Sequence, residues 1–274
     1  MNPFHRSLLR FFILSVAVVG LSKASLAASS DWALNEGGRM RLIVTAGDAP
    51  GHYLGALQIE PKPGWITYWR EPGDSGIPPE VKVKTGKVAI TGMEFPVPKR
   101  IDNGPVRDIG YDGPVTIPLR LEGPPDSADT LLTTQVFIGI CQNICIPFQA
   151  DLSLKLSSAS EPLDAIAIAE AREQLPENPS KDFKVEAVSR SAGNDALTVT
   201  LALPSPVDEP PQVFVTGPTG TVYMDYETVN EEKGRLTLTV PISQLPEKGD
   251  PEGQTWRLLA ISGKRAMESP LAFD

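Results

Sequence analysis

Short apolar runs alternate with polar residues along most of the chain and are separated by turns rich in Gly and Pro. In Asp151–Leu156 leucine occupies every second position, and Leu236–Val240 shows the same alternation. Residues two apart share one face of a β-strand, so each of these runs predicts a half-buried strand. Regular spacing of such runs between turn signals is typical of antiparallel β-sandwiches. We therefore predict an all-β fold.

The predicted strands form two series. The first series lies between Gly38 and Leu156 and comprises Arg39–Ala46, Tyr53–Ile59, Val81–Lys84, Val88–Ile90, Val115–Leu121, Thr133–Ile140 and Phe148–Leu156. The second series comprises Phe183–Val188, Leu197–Leu203, Gln212–Thr216, Thr221–Tyr226, Arg235–Val240 and Thr255–Ile261.

The segment between the two series has a different pattern. Glu161–Leu175 has helix-forming composition, Pro162 falls near its first turn, and Pro176 and Pro179 would end it. The chain length allows one large β domain or two of ordinary size, and the change of pattern favours two. We predict antiparallel β-sandwiches at residues 28–158 and 181–274, joined by a short linker helix within residues 159–180.

The N-terminus has the pattern of an export signal. Arg6 and Arg10 precede the apolar run Phe11–Leu21, and Ser25–Ala27 supplies the small residues of a cleavage site. The run is too short to cross a bilayer, which needs roughly 20 residues. We predict a signal peptide at residues 1–27, a mature chain with no transmembrane span of its own, and secretion into the bacterial periplasm.

The mature chain is acidic. Removal of the signal peptide takes away three basic residues and no acidic ones, so the formal charge moves from −9 to −12. Nucleic acids and anionic lipids both bind basic surfaces, so the charge argues against either partner.

The two cysteines of the chain are only four residues apart, at Cys141 and Cys145. In an exported protein we expect this pair to form a disulfide. By the chain-entropy estimate, a ring of about five residues contributes only ~2 kcal/mol, against ~4.7 for a loop of about 100. Cys141 ends one predicted strand and Phe148 begins the next, so the cysteines flank a tight hairpin connection. The spacing favours a redox pair, and a structural disulfide is the alternative.

Other kinds of site fit the sequence poorly. Structural zinc needs four ligands, and the mature chain offers two cysteines and His52, so we predict no metal and no cofactor. The spacing is not C-x-x-C, and no helix N-terminus is predicted beside the pair to activate a thiol. Gly73–Gly76 resembles a serine-protease nucleophile segment, but His52 lacks the surroundings of a catalytic base, so we discount a protease.

A second conspicuous segment is Trp65–Pro79, where three aromatic residues precede a loop rich in Gly and Pro. One interpretation is an aromatic strand and turn, with Trp65 or Trp69 in the core. The other is a loop that covers the cysteines until a partner arrives. Ile144 and Ile146 are apolar in a predicted exposed loop, which fits either core packing or partner docking.

Trp65–Pro78 and the Cys141-x-x-x-Cys145-x-Pro147 motif together resemble the N-terminal periplasmic domain of the DsbD thiol:disulfide interchange family, and its ScsB-like members more closely. The resemblance covers roughly residues 38–156 and implies an immunoglobulin-like sandwich with Cys141 and Cys145 as the catalytic redox pair. It also implies that Cys145 forms the mixed disulfides. By motif position, the expected cap-loop and partner-docking residues are Tyr68, Trp69, Arg70, Glu71, Pro72, Gly73, Asp74, Ile144 and Pro147.

The resemblance also implies partners. In this family a membrane domain and a thioredoxin-like domain supply electrons to the N-terminal domain. This chain shows neither, and its cysteine spacing is shorter than that of DsbD. We therefore expect a thioredoxin-like domain or a DsbD/CcdA-type membrane protein as electron donor, and periplasmic disulfide-containing proteins as acceptors. The resemblance implies that the chain is a protein-disulfide reductase or another thiol–disulfide interchange component. It also implies that the second sandwich is similar to an additional module of ScsB-like proteins. The competing hypothesis is a non-enzymatic periplasmic binding or accessory module with a structural disulfide.

Overall fold

The structure is a computed structural model that describes residues 29–156, 162–204, 209–232, 234–243 and 245–274. The predicted signal peptide, residues 1–27, and the start of the predicted linker lie outside these ranges. Within them the chain is nearly all β, with a single α-helix, and every sheet is antiparallel. The predicted fold class, two antiparallel sandwiches and a short helix, is confirmed.

Two sheets make up the first sandwich. Its strands are β1 (Ala33–Leu34), β2 (Gly38–Ala46), β3 (His52–Pro61), β4 (Ile66–Gly73), β5 (Glu80–Thr85), β6 (Ala89–Met93), β7 (Lys99–Asn103), β8 (Val106–Tyr111), β9 (Val115–Glu122), β10 (Leu131–Cys141) and β11 (Cys145–Lys155). One sheet has the order β1-β2-β3-β9-β6. The other has the order β11-β10-β4-β8-β7, and β5 also pairs with β10.

The helix α1 (Pro162–Glu173) packs against the outer face of the first sheet. The sequence of strand β2 is apolar at consecutive positions because both faces of the strand are buried. Leu42 and Val44 face the core of the sandwich, whereas Ile43 faces the helix and contacts Ile168. Neighbouring strand residues point to opposite faces, and both faces of β2 are covered. The predicted linker helix is therefore docked on the first sandwich.

The second sandwich has four strands in each sheet. Its strands are β12 (Lys184–Arg190), β13 (Ala196–Ala202), β14 (Gln212–Thr216), β15 (Val222–Tyr223), β16 (Glu227–Glu232), β17 (Arg235–Pro241), β18 (Arg257–Ser262) and β19 (Arg265–Pro270). The sheet orders are β12-β13-β17-β16 and β15-β14-β18-β19.

The β15-β14-β18-β19 sheet is buried on both faces. Val213 and Val215 belong to the core of the second sandwich, while Phe214 between them joins the core of the first. On β18, Leu259 likewise faces the first sandwich. This alternation explains the uninterrupted apolar runs of these strands. It also shows that the two sandwiches pack through an apolar contact.

Several strands were not predicted from the sequence. Strands β7 and β16 lie at sheet edges, and every residue of β16 is exposed, so neither carries an alternating apolar signal. Strand β8 contains the buried carboxylate Asp108, which interrupts its apolar pattern. The aromatic segment was predicted to be either a strand or a cap loop. It forms strand β4, which ends at Gly73.

Candidate functional site

The hairpin of β10 and β11 brings the two cysteines together. Cys141 ends β10, Cys145 begins β11, and the two residues are direct partners in the strand register. They form a disulfide with an S–S distance of 2.05 Å and a Cα–Cα distance of 4.1 Å. The bridge thus lies at the mouth of a tight hairpin, as the spacing predicts.

The two cysteines differ in exposure. Cys141 is only 4% exposed, and β4 covers it because Ile66 pairs with it in the sheet. Cys145 is exposed, and so are the residues of the turn between the cysteines. Both sulfur-bearing residues line an open cleft of about 340 Å³ that also includes Tyr68, Ile101 and Ile144. A thiol in solution therefore reaches the disulfide from the side of Cys145.

The Tyr68 hydroxyl lies against the disulfide. The Tyr68 side chain is buried, and its hydroxyl oxygen lies 3.2 Å from Sγ of Cys145 and 3.5 Å from Oδ2 of Asp108. Burial, followed by the negative charge of Asp108, raises the pKa of Tyr68 to about 12. The phenol therefore stays protonated at neutral pH and is able to donate its hydrogen to the sulfur.

Asp108 and Ser75 complete this polar cluster. Asp108 is 5% exposed, and it accepts hydrogen bonds of 3.1 Å from both the backbone N–H and the hydroxyl of Ser75. Neither residue was identified from the sequence as part of a redox site. In the sequence, Ser75 belongs to the family-like stretch Trp65–Pro78 and to the protease-like segment Gly73–Gly76, and His52 lines a different surface pocket. The hydroxyl of Ser75 thus serves Asp108 and is not paired with a histidine base.

The loop after β4 folds back over Tyr68. At Gly73, φ is +88° and an added Cβ would lie 2.4 Å from the carbonyl oxygen of Arg107, so only glycine fits this close approach. At Gly76 an added Cβ would lie 2.3 Å from Cδ1 of Tyr68. Gly139 on β10 donates a backbone hydrogen bond of 3.3 Å to Ile77. The loop therefore covers Tyr68 and leaves Cys145 open.

The predicted cap-loop residues separate into different environments. Of residues 68–75, all of which the structure describes, Tyr68 and Ser75 line the cleft at the disulfide, and residues 69–74 do not. Trp69 is fully buried in the core of the first sandwich, where the aromatic-strand interpretation of this segment puts it. The remaining residues of the segment are Arg70, Glu71, Pro72, Gly73 and Asp74.

Arg70 and Glu71 lie toward the second sandwich. The Arg70 guanidinium pairs with Glu268 of β19, and its Nε lies 2.7 Å from Oε2 of Glu71. Burial raises the pKa of Glu71. Asp74 bonds to Arg107, with its Oδ2 accepting from the Arg107 backbone N–H at 2.9 Å. These side chains therefore bind other residues of the same chain.

The predicted docking residues of the hairpin are accessible. Ile144 lies at the tip of the turn, is 71% exposed and lines the cleft. Pro147 is exposed on β11, opposite Gly139. Pro has no backbone N–H, so at the sheet edge formed by β11 it also limits pairing with other strands.

Neither a metal-binding cluster nor a membrane-spanning helix is found among the described residues. No group of three or more His, Cys, Asp or Glu side chains is placed to hold a metal ion in this part of the chain. Among the same residues no helix has the length and apolar character needed to cross a bilayer.

Two family models match the chain. Residues 42–157 match the model described as thiol:disulfide interchange protein DsbD, N-terminal. Residues 174–274 match a domain of unknown function, DUF8393. No curated protein matches the chain.

The fold of the chain is found in a solved structure. It is the N-terminal periplasmic domain of ScsB from Proteus mirabilis, with a TM-score of 0.71, 22% identity, and coverage of 88% of this chain and 96% of that chain. The adhesin domain of Epf from Streptococcus pyogenes also matches, covering 92% of this chain and 82% of that chain at 13% identity. Its TM-score of 0.23 is too low to carry an argument. The likeness to the ScsB domain shows a shared fold.

Proposed function

We propose that this chain, whose residues 42–157 match the model of the DsbD N-terminal domain, relays electrons in the periplasm by thiol–disulfide exchange at Cys141–Cys145. One observation carries the proposal. The disulfide joins a buried sulfur-bearing residue, Cys141, to an exposed one, Cys145, and the Tyr68 hydroxyl lies 3.2 Å from the exposed sulfur. A structural bridge needs neither an open cleft nor a polar group directed at one sulfur.

Reduction of the pair proceeds through a mixed disulfide. A thiolate of the donor attacks Sγ of Cys145, a bond forms between the two sulfurs, and the electron pair of the broken bond passes to Sγ of Cys141. A second thiolate of the donor then attacks the donor's own sulfur in the mixed disulfide. Cys145 leaves as a thiolate, the donor leaves as a disulfide, and the chain has gained two electrons.

Delivery of electrons reverses these steps. The Cys145 thiolate attacks a disulfide of a periplasmic acceptor, one acceptor thiolate leaves, and a new mixed disulfide forms. Cys141 then attacks Sγ of Cys145, which releases the second acceptor thiolate and restores the bridge. Both electrons pass from one pair of thiolates to the next as sulfur–sulfur bonds form and break, so the cycle requires no cofactor.

Tyr68 favours the thiolate form of Cys145 in this cycle. A hydrogen bond to a charged sulfur is stronger than one to a neutral sulfur. The high pKa of Tyr68, about 12, keeps its proton available for donation. Asp108 is held by Ser75 and accepts from the same phenol when the sulfur is in the disulfide. Tyr68 is thus a positioning donor for the reactive sulfur.

The proposal also assigns a role to each segment of the chain. Residues 28–158 hold the redox site, residues 159–180 link the sandwiches, and residues 181–274 form the smaller second sandwich. Residues 1–27 direct export and are removed. The donor is a thioredoxin-like domain or a DsbD/CcdA-type membrane protein, and the acceptors are periplasmic proteins that contain disulfides.

Trapping of mixed disulfides in cells tests the proposal. Cys141→Ala removes the resolving sulfur and leaves the exposed Cys145, so we expect a covalent complex with a thioredoxin-like protein. Cells are quenched with acid, and complexes are separated without reductant and identified by mass spectrometry. Cys145→Ala, which leaves only the buried Cys141, is the matched control, and we expect it to trap about tenfold less.

The opposite outcome favours the accessory-module hypothesis. If neither single-cysteine variant forms a mixed disulfide in cells that express the chain at its normal level, the relay is wrong. Equal trapping by both variants would contradict the assignment of Cys145 as the sulfur that meets partners.

A further inference from the structure

The second sandwich places one carboxylate against the redox-site loop. Strand β19 alternates, so Met267 points into the second core while Ala266 joins the first core. Glu268 follows this alternation and lies on the side of Ala266. Its two carboxylate oxygens accept from the two terminal nitrogens of the Arg70 guanidinium, and its side chain is only 13% exposed. This bidentate pair joins the two sandwiches.

Arg70 lies in a part of β4 that lacks regular strand pairing. The ladder between β4 and β8 pairs Tyr68 with Gly110 and then Gly73 with Asp108. Residues 69–72 of β4 therefore bulge out opposite a single residue of β8. Arg70 stacks over the Trp69 ring at 4.0 Å. Because the bulge lacks ladder partners, side-chain contacts such as the Arg70–Glu268 pair determine its position.

A second ion pair joins the sandwiches at strand β8, beside β4. The Arg107 guanidinium donates to Asp225 of the second sandwich. The backbone of Arg107 also holds the loop, since its carbonyl accepts from the Asp74 N–H at 3.1 Å. The next residue, Asp108, binds Ser75 and Tyr68. Contacts with the second sandwich are thus found at both strands that support the loop.

We propose that Glu268 and Asp225 are positioning residues through which the second sandwich clamps the loop of residues 70–76 against Tyr68. This assigns a role to the segment that matches a domain of unknown function. Release of the clamp frees Ser75 from Asp108 and Gly76 from Tyr68, which widens the cleft at Cys145. Only the expected change in the rate of disulfide exchange rests on the proposed function; the clamp itself does not.

Charge removal at Glu268 tests the clamp in the full chain. Glu268→Gln keeps the shape of the side chain and removes the charge that pairs with Arg70 and, within the second sandwich, with Arg257 of β18. We expect amide hydrogen exchange of Asp74 and Ser75, and the rate of reduction of the disulfide by dithiothreitol, each to rise about fivefold. That is the lower end of the roughly 5- to 150-fold range for coupling between two sites.

Two further variants complete the design. Asp225→Asn removes the other ion pair, and we expect the same two rates to rise. Glu186→Gln is the matched control, because Glu186 pairs with Arg235 on the surface of the second sandwich and does not contact the loop. We expect this control to leave both rates unchanged.

Two outcomes would overturn the clamp, and a third would separate it from the relay. Unchanged loop exchange in both Glu268→Gln and Asp225→Asn contradicts it. An increase spread equally over all amides of the second sandwich would mean that the ion pairs serve only general stability. Hydrogen exchange does not depend on redox partners, so failure of the mixed-disulfide trap together with faster exchange at Asp74 and Ser75 refutes the relay and retains the clamp.

Discussion

Replacement of Tyr68 by Phe probes the hydrogen bond at the reactive sulfur. The hydroxyl oxygen lies 3.2 Å from Sγ of Cys145, and removal leaves the ring in place within a buried site. The Cys141→Ala background leaves Cys145 as the single thiol of the chain. In that background the variant changes the environment of one thiolate and little else.

The expected size follows from the contact. A hydrogen bond to a charged group contributes about 1.5–3 kcal/mol, and one between neutral groups about 0.5–1.5 kcal/mol. Tyr68 has one proton to donate, and Asp108 competes for it, so we take the lower end of the difference, about 1 kcal/mol. At roughly 1.4 kcal/mol per tenfold change, the ratio of thiolate to thiol at Cys145 should fall about fivefold.

Thiol–disulfide exchange should fall less than the thiolate population. A more basic thiolate is also a better nucleophile, with a Brønsted coefficient of about 0.4–0.5. A fivefold loss of thiolate therefore lowers the exchange rate at neutral pH only about twofold to threefold.

Ultraviolet absorbance of the thiolate, followed below about pH 9, measures the population directly, because Tyr68 titrates only near pH 12. Tyr226→Phe is the matched control, since it removes a hydroxyl that donates to the Pro211 carbonyl in the second sandwich. An unchanged thiolate fraction in Tyr68→Phe would refute the proposed role of the phenol.

Three other predictions concern the same site. In the reduced, folded protein a bulky maleimide should label Cys145 but not Cys141, which is 4% exposed, as peptide mass spectrometry will show. Gly139→Ala should lower the free energy of unfolding in urea by about 1–3 kcal/mol. Its added Cβ would lie 2.8 Å from the covering loop, whereas Gly113→Ala, with nothing within 4 Å, should change stability little. Burial raises the pKa of Tyr68 from 10.0 to about 12. The stability that the folded protein gains from keeping this phenol neutral is therefore fully present below pH 10, and it is lost as the pH rises through 12. Urea unfolding across this range should show a smaller loss in Tyr68→Phe.

Local sequence patterns predicted the parts of the site that neighbouring residues form. The hairpin mouth could be predicted because an apolar run ends at Cys141 and another begins after Cys145. The aromatic segment was harder to interpret, since neighbouring strand residues point to opposite faces. Trp69 lies in the core and Tyr68 lies at the disulfide, and both side chains are buried. The pattern alone did not distinguish the two faces.

Contacts between distant residues could not be predicted from the sequence. Asp108 reaches the site from β8, where a buried carboxylate leaves no periodic signal. The Arg70–Glu268 pair joins residues 198 positions apart. Strand β19 was missed because its outer face carries Glu268, a charged residue whose burial is offset by ion pairs with Arg70 and Arg257. Such pairing depends on how the two sandwiches pack.

The equilibrium reduction potential of the Cys141–Cys145 bridge tests the proposed relay most directly. The purified mature chain is equilibrated in thiol–disulfide buffers, and the reduced fraction is measured after rapid alkylation. A relay should have a potential within the range of known exchange couples, about −120 to −270 mV. A potential below about −300 mV would mark a bridge that resists reduction and would contradict the relay in favour of a structural disulfide.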